Sequence, residues 1–172
     1  MQLINIDKST YRKHLNTVII SFIATLLILS LAFGSLLINA FGYSVVNEEV
    51  SNFRYNLLGV ILALLACAAI LHQLKHSQFF SEIYYVWRLK QLHNKIYRKI
   101  KKIKAAAEQD NVNALIILYF YCNSRKQVYL LDDNTLTLPS LEKEIQQIEM
   151  KSAKHNLSLS NEQFSEALIN EF

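Results

Sequence analysis

Two histidines, His72 and His76, are the first side chains whose spacing suggests chemistry. Residues four apart lie on one face of a helix, so both imidazoles could ligate one metal ion. A metal site needs further ligands, however. No cysteine or third histidine lies at a complementary spacing, and Glu82 is two turns away. We interpret both histidines as polar residues at the edge of an apolar segment, and the sequence predicts no metal site.

An acidic pair, Asp132 and Asp133, invites comparison with a calcium-binding loop. A loop that starts at Asp133 has Glu144 at its twelfth position, as the motif requires. Leu138 occupies the sixth position, where the sharp turn needs glycine, and Pro139 follows it. The match therefore fails, and the pair is interpreted as part of a turn or a helix cap.

Motifs of enzymes are absent from the sequence, which contains no glycine-rich phosphate loop, nucleophile elbow or HExxH segment. Cys122 falls on an apolar helical face, which favours core packing over a reactive thiol. We therefore expect no catalytic residue, no cofactor and no enzymatic activity.

Basic side chains are concentrated in the middle of the chain. From Lys75 to Lys104 there are nine Lys or Arg residues and one acidic residue, Glu82, whereas residues 105–172 hold five basic and ten acidic residues. This segment could pair with the acidic C-terminal half or contact anionic lipid; a nucleic-acid partner is disfavoured because the basic character is not spread over the whole domain. The candidate lipid-contacting residues are Lys95, Arg98, Lys99, Lys101, Lys102 and Lys104.

Distance from the membrane decides between pairing and lipid contact. On a helix that continued straight from the preceding apolar segment, Lys95 would lie ~30 Å beyond Lys75, several times the ~8 Å screening length. A kink near residues 76–78 would instead lay the basic helix on the membrane surface. Both arrangements stay open at the level of sequence.

Two apolar runs, Leu15 to Gly42 and Leu57 to Leu74, dominate the N-terminal part of the chain. Neither contains Asp, Glu, Lys or Arg. A spanning helix needs about 20 mostly apolar residues, so the runs predict transmembrane helices at about 15–42 and 55–74. The first run is about twice as long as a signal-peptide core, which predicts a retained anchor.

Charges in the flanks predict the orientation. Residues 1–14 carry three Lys or Arg residues, the connection between the runs carries Arg54 with Glu48 and Glu49, and many basic residues follow Leu74. By the positive-inside rule both termini face the cytoplasm. We therefore expect a cytoplasmic flank at 1–14, a transmembrane hairpin at 15–74 and a cytoplasmic helical domain at 75–172.

Small residues recur at helical spacing in both runs, namely Gly59, Ala63 and Cys67 in the second and Ser30 and Gly34 in the first. Small side chains let helices approach closely in lipid, where there is little hydrophobic drive to associate. The face could serve packing within the hairpin or contact with a second copy in a homodimer. A separate aromatic cluster beyond the second run predicts an interfacial belt at the headgroups: Phe79, Phe80, Tyr84, Tyr85 and Trp87.

The polar half should be helical as well, because three glycines and one proline are too few for the turns of a sheet. Apolar residues at steps of three and four predict one long basic amphipathic helix that reaches Ala107. Asp110 is expected to cap a second helix, which runs from about Val112 into Tyr129.

Two further helices are predicted near the C-terminus. Pro139 suits the first turn of a third helix. Ser160 and Gln163 form a capping box for a short final helix, which we expect to be frayed or loosely docked. The predicted class is all-α, with a two-helix transmembrane hairpin followed by a small cytoplasmic helical domain.

Three segments resemble a family of uncharacterised proteobacterial membrane proteins, the domain of unknown function 3087 family. They are IDKSTYRKHLN (Ile6 to Asn16), NFRYNLLGV (Asn52 to Val60) and EIYYVWRLK (Glu82 to Lys90). The likeness covers roughly Ile6 to Asp133. It implies a bacterial inner-membrane protein with two spans, and it adds no catalytic or binding residues.

The function expected from these features is that of a non-enzymatic, membrane-anchored interaction or scaffold protein. Its expected partners are the lipid bilayer and either a second copy or another protein that the sequence does not identify. The alternative is an accessory subunit of a transport or membrane-modifying enzyme complex, which a polar cavity reaching Asn39 or His72 would favour. Two helices without an ionisable residue cannot enclose a pathway alone, so transport would require oligomerisation.

Overall fold

The computed structural model describes residues 2–42 and 51–172, which form helices and contain no strand, so the all-helical class is confirmed. Glu48 and Glu49, which the predicted orientation places between the two apolar runs, lie outside these residues. The α-helices are α1 (Lys8–Phe41), α2 (Phe53–Leu74), α3 (Ser81–Tyr97), α4 (Ile100–Glu108), α5 (Val112–Leu131) and α6 (Leu138–Lys154). Short 3-10 helices cover Gln78–Phe80, Asn161–Gln163 and Glu166–Glu171.

The chain divides into two compact units. One, here called the apolar unit, is Lys13–Ser81. The other, the polar unit, combines Met1–Arg12 with Glu82–Phe172. The first residues of the chain thus belong with its C-terminal half, although a long apolar stretch separates the two in sequence.

The first helix begins at Lys8, about two turns before the apolar run that predicted it. Asp7 accepts hydrogen bonds from Ser9 Oγ at 2.6 Å and from the Thr10 backbone N–H at 2.8 Å, as a helix-capping residue does. These bonds stabilise the carboxylate and lower the pKa of Asp7 to about 2. The predicted start near residue 15 marked the beginning of the apolar run and missed the helix start that Asp7 fixes.

Within the apolar unit, α2 runs back along α1. The Tyr55 hydroxyl, near the start of α2, donates to the Phe41 carbonyl at the end of α1 at 2.8 Å. One turn later the backbones nearly touch, because a methyl carbon built on Gly59 would lie 2.6 Å from the Gly34 nitrogen and 3.1 Å from the Ser30 carbonyl oxygen. The buried residues of α2 are Gly59, Ala63 and Cys67. Whether this face also contacts a second copy stays a prediction.

Most other side chains of α1 and α2 are exposed. Ile20, Leu31 and Leu65 are 67%, 72% and 63% exposed, and large apolar residues elsewhere on both helices are exposed as well. Water-soluble proteins seldom present a continuous apolar surface of this kind. The two helices therefore need a solvent other than water or a partner that covers them.

The polar unit is built around α5. This helix packs against α4, α6 and both 3-10 helices near the C-terminus. Its buried residues cover more than half of its circumference, whereas a strip that includes Val112, Tyr119 and Leu130 stays partly or fully exposed. The buried residues are Ala114, Leu115, Ile117, Leu118, Phe120, Tyr121, Cys122, Ser124, Val128 and Leu131. The shorter amphipathic helices each contribute one apolar stripe to cover it.

The prediction of one long basic helix is wrong. Helix α3 ends at Tyr97 and α4 begins at Ile100, and Lys99 at the break has non-helical angles (φ −109°, ψ 3°). Ile96 and Ile103, on either side of the break, are both fully buried. The break allows both segments to keep their apolar stripes in the core.

The predicted cap of the second helix is also wrong by one residue. Asn111 caps α5, since its side-chain oxygen accepts a hydrogen bond from the Ala114 N–H at 2.9 Å. Asp110 instead has φ 61°, in the left-handed region that Asp tolerates, and its carboxylate pairs with Lys151 Nζ at 3.1 Å. The turn between the two helices thus uses both residues, in different roles.

The C-terminal segment is docked, contrary to the expectation of a frayed end. Pro139 in the first turn of α6 and the capping box of Ser160 with Gln163 are confirmed. The ring of Phe164 lies parallel to that of Phe120, with centroids 3.9 Å apart, and is 4% exposed. Ile169 is fully buried. The two short 3-10 helices replace the single final helix that was predicted.

Replacing Gly59 by alanine should destabilise the apolar unit by about 1–3 kcal/mol, because the new methyl group would meet backbone atoms that cannot rotate away. Cys67 is buried in this unit, so in a Cys122→Ala background the reactivity of its thiol reports the unfolding of the unit. We expect Cys67 of detergent-solubilised protein to react with a thiol-specific dye at a lower temperature in the variant. The matched control is Gly34→Ala, whose methyl group would meet the movable side chain of Asn56 at 3.1 Å and should have a smaller effect. Equal effects of the two changes would contradict the assigned contact.

Replacing Phe164 by alanine should cost about 3–5 kcal/mol, since the change leaves a cavity against Phe120. In a Cys67→Ala background, the reactivity of the buried Cys122 thiol reports the unfolding of the polar unit. We expect its thiol to become reactive at a clearly lower temperature. Leu136→Ala serves as the control, because Leu136 is 93% exposed and should change stability little. An unchanged temperature in the Phe164 variant would show that the C-terminal segment is not part of the core.

Candidate functional site

A groove between three helices of the polar unit is a candidate site with both apolar and charged lining residues. Helix α5 forms its floor and α4 and α6 form its walls, around a cavity of about 380 Å³. This volume lies near the lower end of the roughly 300–1,000 Å³ typical of small-molecule sites. The groove has an apolar floor and walls (Ile100, Ala107, Leu115, Leu118 and Ile148) and basic side chains along its length (Lys101, Lys104, Arg125 and Lys151).

Ion pairs hold the two walls together. Lys104 of α4 lies 3.8 Å from Glu144 of α6, and Lys151 of α6 donates to the Glu108 carbonyl at 3.0 Å while it pairs with Asp110. The Lys104 to Glu144 pair is long and exposed, so it contributes at most about 1 kcal/mol. The groove is thus bridged by two contacts near the α4–α5 turn and by one long contact along its middle.

Two cations of the groove form no ion pair within residues 2–42 and 51–172, namely Lys101 and Arg125. The Arg125 guanidinium lies 5.1 Å and 5.3 Å from the ring centroids of Tyr121 and Tyr129, and its Nη2 donates to the Tyr129 hydroxyl at 2.8 Å. These aromatic contacts fix the guanidinium in place without neutralising it. The groove therefore has a positive charge, that of Arg125, which is fixed in position beside apolar walls and is not neutralised by an ion pair among the described residues.

Cys122 lies on the floor of the groove. Burial, with the Glu144 carboxylate adding to it, raises the pKa of the thiol to about 12. The thiol donates to Glu144 Oε2 at a sulfur–oxygen distance of 3.7 Å. A thiol held in the protonated form is a poor nucleophile, so the geometry agrees with the packing role expected for this residue.

A second polar contact, missed at the sequence level, joins α3 to α5. His93 Nε2 lies 2.8 Å from Ser124 Oγ, and the serine hydroxyl also lies 3.0 Å from the Tyr121 carbonyl. A histidine beside a serine suggests nucleophilic catalysis, but Ser124 is fully buried and no substrate can reach it. Burial, together with the nearby charges of Arg125 and Lys90, lowers the pKa of His93 to about 4. The pair therefore acts as a neutral hydrogen bond within the core.

The predicted basic residues divide into two groups. Three of them have partners: Lys95 lies 3.7 Å from Glu166, Lys99 Nζ donates to the Ile169 carbonyl at 2.9 Å, and Lys104 pairs with Glu144. The other three form no ion pair among the described residues and are Arg98, Lys101 and Lys102. Contact of any of them with lipid stays a prediction.

The predicted aromatic belt is distributed over both units. Phe79 and Phe80 belong to the apolar unit, where the Phe79 ring lies 4.2 Å from that of His14. Tyr84 and Trp87 stack on each other in the polar unit, with centroids 5.7 Å apart. The fifth aromatic, Tyr85, accepts a hydrogen bond from the N-terminal segment. An interfacial role stays a prediction for all five.

The N-terminal segment is fastened to the end of α5 by a cluster of ion pairs. Lys8 and Arg12 both pair with Asp133, the Tyr11 hydroxyl lies 3.3 Å from Asp132, and Lys90 lies 2.7 Å from Asp132. The hydrogen bond from Lys8, and the charge of Arg12, lower the pKa of Asp133. The two aspartates do form a turn after α5, as predicted, and their ionic partners were not foreseen.

Comparison with known protein families gives one match. A family model described as a protein of unknown function (DUF3087) matches residues 1–169. The chain belongs to the DUF3087 family. The match extends the resemblance noted in the sequence, which ended near Asp133, to include α6 and most of the docked C-terminal segment. No curated protein and no solved structure matches the chain.

Membership of DUF3087 carries no activity with it. The match does cover both apolar helices and all three helices of the groove.

The buried histidine should make this DUF3087 protein sensitive to acid. The pKa of His93 is about 4 in the folded state and about 6.5 when unfolded, so the unfolded chain takes up a proton first as the pH falls. Stability is full above pH 6.5 and should fall by up to about 3 kcal/mol between pH 6.5 and pH 4. Thermal unfolding followed by far-UV circular dichroism should show a smaller loss over this window in His93→Gln. The same pH dependence in both proteins would refute the assignment.

Proposed function

We propose that this protein is a non-enzymatic, membrane-anchored interaction or scaffold protein. Helices α1 and α2 would form a transmembrane hairpin in the bacterial inner membrane, with both termini in the cytoplasm. The observation that carries the proposal is the exposed apolar surface of two helices of 34 and 22 residues, each with a hydropathy of 2.4 over its most apolar window.

The core helix of a soluble protein can be equally long and apolar, but it is mostly buried. Here only 6% of the most apolar window of α1 and 17% of that of α2 is buried. Keeping one Leu or Ile in water costs roughly 1.5–3 kcal/mol relative to burial, and many such residues are exposed on both helices. A bilayer supports this surface better than water does, and it also suits helices whose backbone groups are satisfied internally.

The charge distribution supports the orientation. Lys8, Arg12 and Lys13 precede the first apolar run, and nine basic residues lie between Lys75 and Lys104. By the positive-inside rule both flanks favour the cytoplasm, which places residues 43–50 on the opposite side.

The chemistry of the polar unit supports binding over catalysis. Its buried thiol has a pKa of about 12, the serine of its histidine–serine pair is fully buried, and Arg125 is held by aromatic rings beside an open groove. The alternative function, an accessory subunit of a transport or membrane-modifying enzyme complex, would be favoured by a polar cavity that reaches Asn39 or His72. The cavity of about 210 Å³ in the apolar unit is lined by neither residue.

Single cysteines introduced at the two predicted sides of the membrane test the topology. In a background with Cys67→Ala and Cys122→Ala, Glu48→Cys should react with a membrane-impermeant maleimide in intact spheroplasts. Lys102→Cys, at an exposed position of α4, should react only after the membrane is permeabilised.

Extraction with alkaline carbonate complements the labelling, because it removes peripheral proteins and leaves spanning helices in the membrane. We expect the protein to stay in the membrane pellet. Release into the supernatant, or labelling of both cysteines from the same side, would overturn the proposal.

A further inference from the structure

We propose that the groove formed by α4, α5 and α6 binds an anionic amphiphile with a single apolar chain, such as a fatty acid or a lysophospholipid. Lys101 and Arg125 would hold the acidic head, and the apolar chain would lie along α5. Nothing in the family match assigns a ligand to this groove.

The shape and lining of the groove favour a narrow apolar chain. Its floor and walls include Ile100, Leu115, Leu118 and Ile148. A cavity of about 380 Å³ suits a compact ligand, whereas an amphipathic helix about 10 Å across would require a wider cleft. A chain that enters from water would gain about 25 cal/mol for each Å² of apolar surface that it buries. The apolar part of the groove thus provides affinity without specificity.

Charge gives the groove its preference for an acid. Four cations line it (Lys101, Lys104, Arg125 and Lys151) against the carboxylates of Glu108 and Glu144, and Asp110 pairs with Lys151 at one end, which leaves an excess of one positive charge. Lys104 and Lys151 already have acidic partners, which leaves Lys101 and Arg125 for a ligand. A planar guanidinium fixed by two tyrosine rings matches a carboxylate or a phosphate, and apolar walls strengthen the interaction.

The positions of these cations predict how the ligand lies. Helices α4 and α5 are neighbours joined by the short turn at residues 109–111, and both Lys101 and Arg125 lie away from that turn. Lys151 closes the opposite end through its bonds to Glu108 and Asp110. The head should therefore bind at the end remote from the turn, with the chain directed towards Leu115.

The expected source of the ligand depends on the proposed membrane location, since a bilayer supplies acidic amphiphiles at high local concentration. The binding chemistry of the groove is independent of that location. The two ideas can fail separately, because groove labelling and carbonate extraction are independent measurements on the same protein.

Photo-crosslinking of the full chain in nanodiscs of phosphatidylcholine tests the proposal. The probe is a fatty acid with a diazirine near the end of its chain, and labelled peptides are identified by mass spectrometry. We expect labels on the groove-lining segments of α5 and α6. The corresponding fatty alcohol, which has the same chain and no charge, should label these segments at least tenfold less. Excess unlabelled lysophosphatidylglycerol, which carries its phosphate on a single apolar chain, should compete for the groove and reduce labelling.

Three variants separate charge, shape and general effects. Lys101→Gln and Arg125→Gln should each lower groove labelling about tenfold, the loss expected for one charge-assisted hydrogen bond. Ile148→Trp should abolish labelling by filling the groove while it keeps both cations. The matched control is Lys102→Gln, which removes the same charge one residue away, outside the groove lining, and should leave labelling unchanged. Thermal unfolding followed by far-UV circular dichroism verifies that each variant is folded.

Equal labelling by the acid and the alcohol would overturn the proposal, as would labelling confined to α1 and α2. An equal loss in Lys102→Gln and Lys101→Gln would also overturn it, because it would indicate a general attraction to the basic surface. Loss of labelling in folded Ile148→Trp, with retention in Lys102→Gln, supports the site directly.

Discussion

The solvent requirement of α1 and α2 constrains every other part of this protein. Their side chains are apolar and exposed, so the helices are stable where water is absent, and their backbone groups are already paired along each helix. In the proposed membrane location, lipid would provide no hydrophobic force that brings the two helices together. Close packing would have to supply the attraction, and the approach of Gly59 to the backbone of Gly34 is what the absence of a side chain on Gly59 permits. A small-residue contact is thus the association that an apolar solvent favours.

In the polar unit, the apolar side chains are covered by other parts of the protein. It has about one hundred residues, and its central helix α5 is buried over more than half of its circumference, so several surrounding elements must contribute cover. Helices α3, α4 and α6 leave Phe120 to be covered by Phe164 from the C-terminal segment. The break at Lys99 and the docked C-terminal segment belong to the same solution, because the Lys99 ammonium donates to the carbonyl of Ile169. The segments that had no clear role in the sequence complete the core.

Local patterns in the sequence predicted what local physics determines. Apolar runs identified α1 and α2, and Pro139 identified the start of α6. Ser160 identified the capping box of the 3-10 helix Asn161–Gln163. Apart from the cap of α5, which lies at Asn111 and not at Asp110, the failures concern contacts between residues far apart in sequence. Nothing in the basic stretch signals a break at Lys99, and no periodicity relates Asp133 to Lys8, which precedes it by 125 residues. The groove was missed for the same reason: its lining comes from three helices, each of which shows only one amphipathic stripe.

The basic stretch, which is one feature in the sequence, has several roles in the structure. Lys95 and Lys104 have acidic partners at exposed positions, where each pair contributes little and salt screens it. Lys102 is exposed and forms no ion pair within residues 2–42 and 51–172. Lys101 borders apolar walls, where a charge interacts more strongly than it does in water. Adjacent residues of identical type therefore differ in what an acidic ligand gains from them, and net charge along the chain is a poor guide to where such a ligand binds.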